Sequence, residues 1–286
     1  MKVMRKIVGI IGHPLGHSVS PAMHNAAYRE LGLDYEYLPF EVQPEDLPEA
    51  LNGFRALHMA GFNVTIPHKE RIVPLLDEVT KLARIIGAVN TVENQDGRLV
   101  GYNTDGPGFL NALTEEAGFE PKGKEAVVLG AGGAARAVAI MLAEVGAKRV
   151  TVTDVDEFKG QELAEYLGTL SKTKATFEKI GSASLKESIA GADLLVNATP
   201  VGMHPNVNDS PLPDKVKLNK KTVVYDLVYN PAETKLLKTA QAAGCRAVSG
   251  LGMLVQQGAL AFTVLTGEEA PLETMWNAAK KALRAN

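Results

Sequence analysis

The chain has 286 residues, more than one domain usually holds, and its 45% hydrophobic and 22% charged residues are those of an ordinary soluble globular protein. A formal net charge of −3 with no basic block gives no footing for nucleic acid or an anionic membrane surface. The single cysteine, Cys245, rules out an internal disulfide and fits a reducing cytoplasm, and no apolar run approaches the ~20 residues that span a bilayer. Residues 1–11 read as a short strand entering a Gly/Pro turn and not as a signal peptide.

Residues 6–11 form a β-branched run, a buried strand, which opens into the loop 12–21. Ser20 followed by Pro21 is a helix start, with a hydroxyl at the N-cap and a proline at the first helical position; the helix runs to about Leu31 and Gly32 closes it. Ser18 and Ser20 therefore sit where hydroxyls and backbone donors can receive an anionic or hydroxylated ligand, although taken alone Ser20 reads as a plain cap. Residues 35–42 alternate as a strand, 45–57 as a helix, and 63–66 as a strand ended by Pro67. His68, Lys69 and Glu70 open a helix to about Leu76, which places Lys69 at a strand-to-helix junction, where open α/β sheets put their chemistry; out of context it is a solvated lysine. His13, His17 and His24 have no regular spacing and no Cys or carboxylate cluster beside them, so no metal is expected. Residues 86–91 and 99–105 flank Asp96-Gly97 as two strand-like runs of a hairpin. Each run carries an Asn-Thr pair, and the second ends at Asp105, which reads either as part of a polar pocket or as a helix cap.

A linking helix ends near Gly118, and residues 127–129 then run straight into Gly130, Gly132 and Gly133 and an Ala-rich apolar segment. This is the G-x-G-x-x-A form of the dinucleotide fingerprint: Gly130 for a tight turn, Gly132 for close backbone approach, Ala135 for helix–strand packing. The N–H groups opening the next helix would hold a pyrophosphate. A second strand, 149–153, ends in Asp154. Helix 158–167, strand 175–177, helix 184–189 and strands 194–197 and 223–227 follow, and helices 253–265 and 272–284 end the chain. In an open parallel sheet the strand C-termini face the ligand crevice, which places Asn197, Thr199 and Tyr229.

Taken together, Ser18-Val19-Ser20-Pro21, Asn63-Val64-Thr65-Ile66-Pro67-His68-Lys69, Gly87-Ala88-Val89-Asn90-Thr91 and Gly101-Tyr102-Asn103-Thr104-Asp105 resemble the shikimate dehydrogenase family, including its quinate/shikimate members. The likeness continues through residues 130–134, 197–203, 226–231 and 250–258, covering nearly the whole chain in order. It implies a two-lobed α/β fold: an N-terminal substrate domain (1–105 with 250–286) and a Rossmann-type, doubly wound nucleotide domain (106–249), the last helices returning to the first lobe. It implies Lys69 and Asp105 as the catalytic pair, and Ser18, Ser20, Asn63, Thr65, Asn90, Tyr229 and Gln257 around a cyclic polyol acid. Gly130, Ala131, Gly132, Gly133, Ala134, Asp154, Lys159, Asn197, Thr199, Val228, Gly250 and Met253 are the cofactor-binding expectations, with Met253 either core or a wall for the nicotinamide. The reaction implied is reversible, NAD(P)-dependent reduction of 3-dehydroshikimate to shikimate in the route to chorismate and the aromatic amino acids.

Two positions refine this. NADP-using relatives usually carry Asn-Arg-Thr after the second nucleotide-domain strand, whereas this chain has Asp154, Val155 and Asp156. A carboxylate accepts hydrogen bonds from ribose hydroxyls and repels a 2′-phosphate, so NAD is expected over NADP, with Lys159 able to soften the repulsion. A serine at position 20 goes with shikimate in the family, leaving quinate as a weaker substrate. A quinate-first dehydrogenase of a catabolic route, and a regulator that binds NAD(P) without turnover, are the other readings; retention of Lys69 and Asp105 opposes the second. No nucleic-acid or membrane partner is expected, and a homodimer is left open.

Overall fold

In the computed structural model, which describes residues 5–16 and 18–285, β1 (Lys6–Gly12), β2 (Tyr35–Glu41) and β3 (Gly61–Val64) run parallel, linked by α1 (Ser20–Glu30) and α2 (Leu47–Ala56). After β3 come α3 (His68–Arg71), a 3-10 turn at Val73–Leu75, β4 (Glu78–Val79) and α4 (Lys81–Ile86). The hairpin β5 (Thr91–Gln95) and β6 (Arg98–Tyr102) completes a six-stranded mixed sheet in the order β2-β1-β3-β5-β6-β4. Asp96 and Gly97 both hold positive φ at the hairpin tip, as a tight Asp-Gly turn requires. Ile11, Phe54, Phe62, Ile72 and Leu99 are among the fully or nearly fully buried residues that form the core on one face of this sheet.

The chain then passes through α5 (Asp105–Ala117) into β7 (Glu125–Leu129), α6 (Gly133–Glu144), β8 (Arg149–Thr153), α7 (Glu157–Leu170), β9 (Lys174–Phe177) and α8 (Ala183–Gly191). It continues through β10 (Leu194–Asn197), β11 (Val223–Asp226), α9 (Lys235–Ala242), β12 (Arg246–Ser249), α10 (Leu251–Thr266) and α11 (Leu272–Ala285). The second sheet is parallel throughout, ordered β12-β11-β10-β7-β8-β9. Counted from β7, that is the doubly wound order in which two three-strand halves meet at a switch between the first and fourth strands. The apolar runs Val127–Leu129 and Leu194–Val196 are buried because helices cover both faces of a parallel sheet.

The chain divides into two compact units: the part up to Gly108 with the part from Val255 on, and Phe109–Leu254. The divisions fall inside α5 and α10, a few residues beyond the junctions expected at 105/106 and 249/250. Among the described residues no helix is long and apolar enough to cross a membrane.

Three local expectations change. Residues 86–90 are not strand: Ile86 ends α4, and Gly87 closes that helix in the left-handed conformation at φ 71°. The helix expected over 68–76 stops at Arg71 and gives way to a 3-10 turn at Pro74, which has no N–H to continue it. Ser20 opens α1 rather than capping it, since the N-cap is Val19 and the Ser20 N–H donates to Ser18 Oγ at 3.3 Å.

Candidate active site

The first unit holds an ion pair between Lys69 Nζ and Asp105 Oδ2 at 2.6 Å, with the side chains 16% and 5% exposed. Two turns bring the residues together. After β3, a cis Ile66–Pro67 peptide bends the chain into α3, and His68 sits fully buried with its Nε2 2.7 Å from the Val42 carbonyl. A carbonyl only accepts, so Nε2 carries the hydrogen and the ring pins α3 to the segment just after β2. Val89 N–H donates to the Lys69 carbonyl at 2.8 Å and ties α3 to the segment before β5. Asp105 opens α5, and the cap comes from Asn103, whose Oδ1 accepts the Gly106 N–H at 3.1 Å. The Asp105 carboxylate is thereby left free to face Lys69.

Asn90 organises the second oxygen of Asp105. Its buried amide nitrogen stands 2.8 Å from Thr104 Oγ1, 3.0 Å from Asp105 Oδ1 and 3.2 Å from Gln257 Oε1. Its Oδ1 accepts from the Thr104 N–H at 2.8 Å and from Thr91 Oγ1 at 3.2 Å. Lys69, Asp105, Asn90 and Gln257 thus form one connected group drawn from α3, α5, the entry to β5 and α10. Its chemistry is that of a positioned ammonium–carboxylate pair that can pass a proton at Nζ while the carboxylate holds its place.

Around this group, Asn63 is buried and its amide is fully engaged by the protein. Its Nδ2 donates to the Asn90 carbonyl at 3.1 Å and to Thr91 Oγ1 at 2.9 Å, and its Oδ1 accepts from the Tyr37 hydroxyl at 2.8 Å. Asn63 therefore braces Asn90 from behind. The Tyr37 hydroxyl also bonds to the Ser20 side chain, and burial pushes its pKa well up. Thr65 is half-buried beside Gly12, and Ser18 is half-buried ahead of α1. The early histidines part company: His13 Nδ1 lies 3.1 Å from Glu41, and His24 is buried and stacked on Tyr37, its pKa driven down to about 3 by burial. His17 lies outside the described residues.

Sequence reading missed Tyr37 and the anchoring role of His68. The signal for Tyr37 was a polar tip on an inward position of an alternating strand; for His68 there was none, since a first-turn histidine reads as exposed.

The second unit carries the glycine turn. Gly130 follows β7 at φ +113°, and a Cβ there would stand 3.0 Å from the Ala198 carbonyl oxygen and 3.2 Å from Thr199 Cγ2. The turn and the loop after β10 therefore meet at the switch point between the two halves of the sheet. Gly132 caps α6 and Gly133 and Ala134 open it. Ala131 N–H donates to Asp154 Oδ2 at 2.6 Å, and Asp156 N–H donates to Asp154 Oδ1 at 2.8 Å. Both oxygens are held at the end of β8, beside Val155, whose side chain is 88% exposed. Asp156 caps α7 by accepting the Lys159 N–H at 3.2 Å, and the Lys159 side chain is exposed. Asn197 is buried, and its Oδ1 accepts from Thr199 Oγ1 at 2.6 Å and from the Thr199 N–H at 3.1 Å. Val228 and Met253 are buried, and Gly250 N–H donates to the Val228 carbonyl at 3.3 Å. Tyr229 is half-buried, and burial raises its phenol pKa.

The chain matches three family models: the shikimate dehydrogenase substrate-binding domain over residues 10–92, shikimate/quinate 5-dehydrogenase over 113–233, and the shikimate 5′-dehydrogenase C-terminal domain over 250–280. It is 50% identical over 278 residues to a protein of Methanopyrus kandleri named shikimate dehydrogenase (NADP(+)), covering 97% of this chain and 96% of that one. Among solved structures, a shikimate dehydrogenase in complex with NADP+ superposes with a TM-score of 0.90 at 44% identity, covering 97% and 96% of the two chains. Shikimate 5-dehydrogenase of Listeria monocytogenes, in complex with shikimate and NAD, does so at 0.86 and 40%, covering 94% of each. By sequence, by fold and by the residues just described, the chain belongs to the shikimate dehydrogenase family.

Proposed function

We propose that this chain catalyses the reversible, dinucleotide-dependent reduction of 3-dehydroshikimate to shikimate, serving the biosynthetic route to chorismate, and that it uses NAD in preference to NADP. The observation that carries the reaction is the Lys69–Asp105 pair, at 2.6 Å and held on its far oxygen by Asn90. Reduction of a ketone needs a proton at the oxygen, and oxidation of the alcohol needs the same group as base. Lys69 Nζ gives and takes that proton, and Asp105 keeps Nζ in place. Asn90 and Gln257, beside the pair, and Ser18, Ser20 and Thr65 meet the hydroxyls and carboxylate of the acid.

The second unit fits a dinucleotide. Gly132 has nothing within 4 Å where a side chain would stand, and α6 begins there with its first N–H groups pointing outward. The 130–134 turn would hold the pyrophosphate, Asp154 the adenosine ribose, and the loops at Asn197, Thr199, Val228 and Gly250 the nicotinamide side, with Met253 as a candidate wall. When bound, the dinucleotide supplies or accepts the hydride.

The NAD reading rests on Asp154. Its carboxylate is fixed by two backbone N–H donors, and no cation follows it at position 155. Lys159 is exposed on α7, while Lys179 is committed to Glu157 at 2.6 Å. The Methanopyrus relative is named for NADP(+), and the Listeria structure contains NAD, so relatives carry both nucleotides. A steady-state comparison of shikimate and quinate, each with NAD and NADP, tests both claims. The expected order is shikimate above quinate and NAD above NADP in kcat/KM; the reverse in either column removes that half of the reading.

A further expected result concerns Gly108. A Cβ there would stand 2.7 Å from the Gln257 backbone nitrogen and 2.8 Å from its Cα, too close for either helix to yield without moving. Gly108→Ala therefore displaces Gln257 from Asn90. A displacement near 1 Å is expected to cost about 10²-fold in kcat/KM for shikimate. Dinucleotide affinity, read by fluorescence titration, should stay at the wild-type value.

A further inference from the structure

Asp226, at the C-terminal end of β11, is fully buried and takes no part in the proton chemistry. Its contacts are donors alone. Thr234 Oγ1 donates to Oδ2 at 2.5 Å, while Asn197 Nδ2 at 2.8 Å and the Val228 N–H at 3.0 Å donate to Oδ1. Among the described residues no ion pair reaches it, and burial raises its pKa while the three donors oppose that rise. Burying a carboxylate without a cation is costly, so an apolar core residue here would be the cheaper way to gain stability alone.

The bonds lead away from Asp226 to one place. Asn197 also donates to the Val201 carbonyl at 3.2 Å, and its Oδ1 holds both the N–H and the hydroxyl of Thr199. Thr199 Oγ1 in turn accepts the Val201 N–H at 3.2 Å, and Thr199 packs against Gly130. On the other side, the same oxygen that binds Asn197 fixes the turn of Val228, whose carbonyl accepts the Gly250 N–H. Asp226 accepts at both oxygens, from an amide NH₂ and a backbone N–H on Oδ1 and from a hydroxyl on Oδ2, so no donor of its own is used. One carboxylate thus sets the loops after β10 and β11 at the half of the doubly wound sheet opposite Asp154.

We propose that Asp226 is a positioning residue for the nicotinamide half of the dinucleotide, acting through Asn197, Thr199 and Val228. The inference rests on the proposed dinucleotide-dependent reaction. Each half of such a sheet binds one mononucleotide, and Asp154 lies in the β7-β8-β9 half. Disturbing Asp226 should therefore weaken the nicotinamide end and spare the adenosine end.

The experiment measures dissociation constants of NAD and of ADP-ribose for the wild-type chain, Asp226→Asn and Thr234→Val. Asp226→Asn keeps the shape but loses the charge-assisted bonds, and NAD should bind about tenfold more weakly while ADP-ribose binds as to wild type. Thr234→Val removes one donor and the α9 cap but leaves the Asn197 and Val228 bonds, so it should lower the unfolding temperature without changing either constant. Equal weakening of NAD and ADP-ribose in Asp226→Asn would make Asp226 a stability residue, and unchanged NAD binding would leave it without this role. Weakening of NAD alone by Thr234→Val to the same extent would overturn the route through Asn197. A wild-type chain that binds neither ligand would remove the dinucleotide reading itself, a result distinct from the others.

Discussion

Lys69→Arg is expected to cut turnover by orders of magnitude while leaving the fold and the ion pair in place. A guanidinium keeps the positive charge opposite Asp105 but does not release its proton in a protein, so charge and acid–base function are separated. The expected loss in kcat is about 10²–10⁴-fold, the usual contribution of a positioned general acid–base. Lys69→Ala should show the same loss together with a lower unfolding temperature. It leaves Asp105, 5% exposed, with the Asn90 amide on one oxygen and no cation on the other. An unsatisfied buried polar group of this kind costs about 1–3 kcal/mol. Both variants should bind NAD as the wild type does, because the glycine turn and Asp154 belong to the other compact unit. Turnover near the wild-type level in Lys69→Arg would show that the proton comes from another group.

The second large effect is a change of nucleotide. Two like charges ~4 Å apart repel by about 4 kcal/mol at an effective dielectric near 20. The Asp154 site is half-buried, so solvent and salt screen part of this, and about 10²-fold in kcat/KM is the expected preference for NAD. Asp154→Asn combined with Val155→Arg removes the repulsion and adds a cation where the chain now presents an exposed valine. The ratio of kcat/KM for NADP to that for NAD should then rise by about 10²-fold or more. The ratio is the quantity to read, because Asp154 also holds the Ala131 and Asp156 N–H groups, and an asparagine oxygen serves them less well. An unchanged ratio would mean that the 2′-position is read elsewhere.

How much of this was legible beforehand depends on the range of the interaction. The glycine turn, the Asp-Gly hairpin and the parallel strands were readable because each is dictated by neighbours within a few residues: backbone angles, a missing Cβ, an apolar run. The boundaries at Ile86 and Arg71 were not, since a short apolar run suits helix and strand alike and only packing arbitrates. Ser20 shows the same limit from the other side. Its sequence context is a cap, yet Val19 holds the N-cap position, Ser18 Oγ accepts the Ser20 N–H, and the Ser20 side chain bonds with Tyr37 on β2.

Lys69, Asp105, Asn90 and Gln257 could be named from the resemblance of their ordered motifs, and Asp154 from its departure from the usual sequence after the second nucleotide-domain strand. Residue type and spacing were not sufficient there: read alone, Lys69 is a solvated first-turn lysine and Asp105 a helix cap, and only the resemblance of the ordered motifs singles them out. Their joining was decided by tertiary structure. Asn90 and Gln257 are 167 residues apart in sequence, and they meet because α10 crosses α5 at Gly108, where no side chain intervenes. Asp226 likewise read as one residue within the strand 223–227. Its three donors come from separate segments, and only the packed sheet puts them around one carboxylate. Local chemistry is written in adjacent residues; burial and convergence arise only once the chain has folded back on itself.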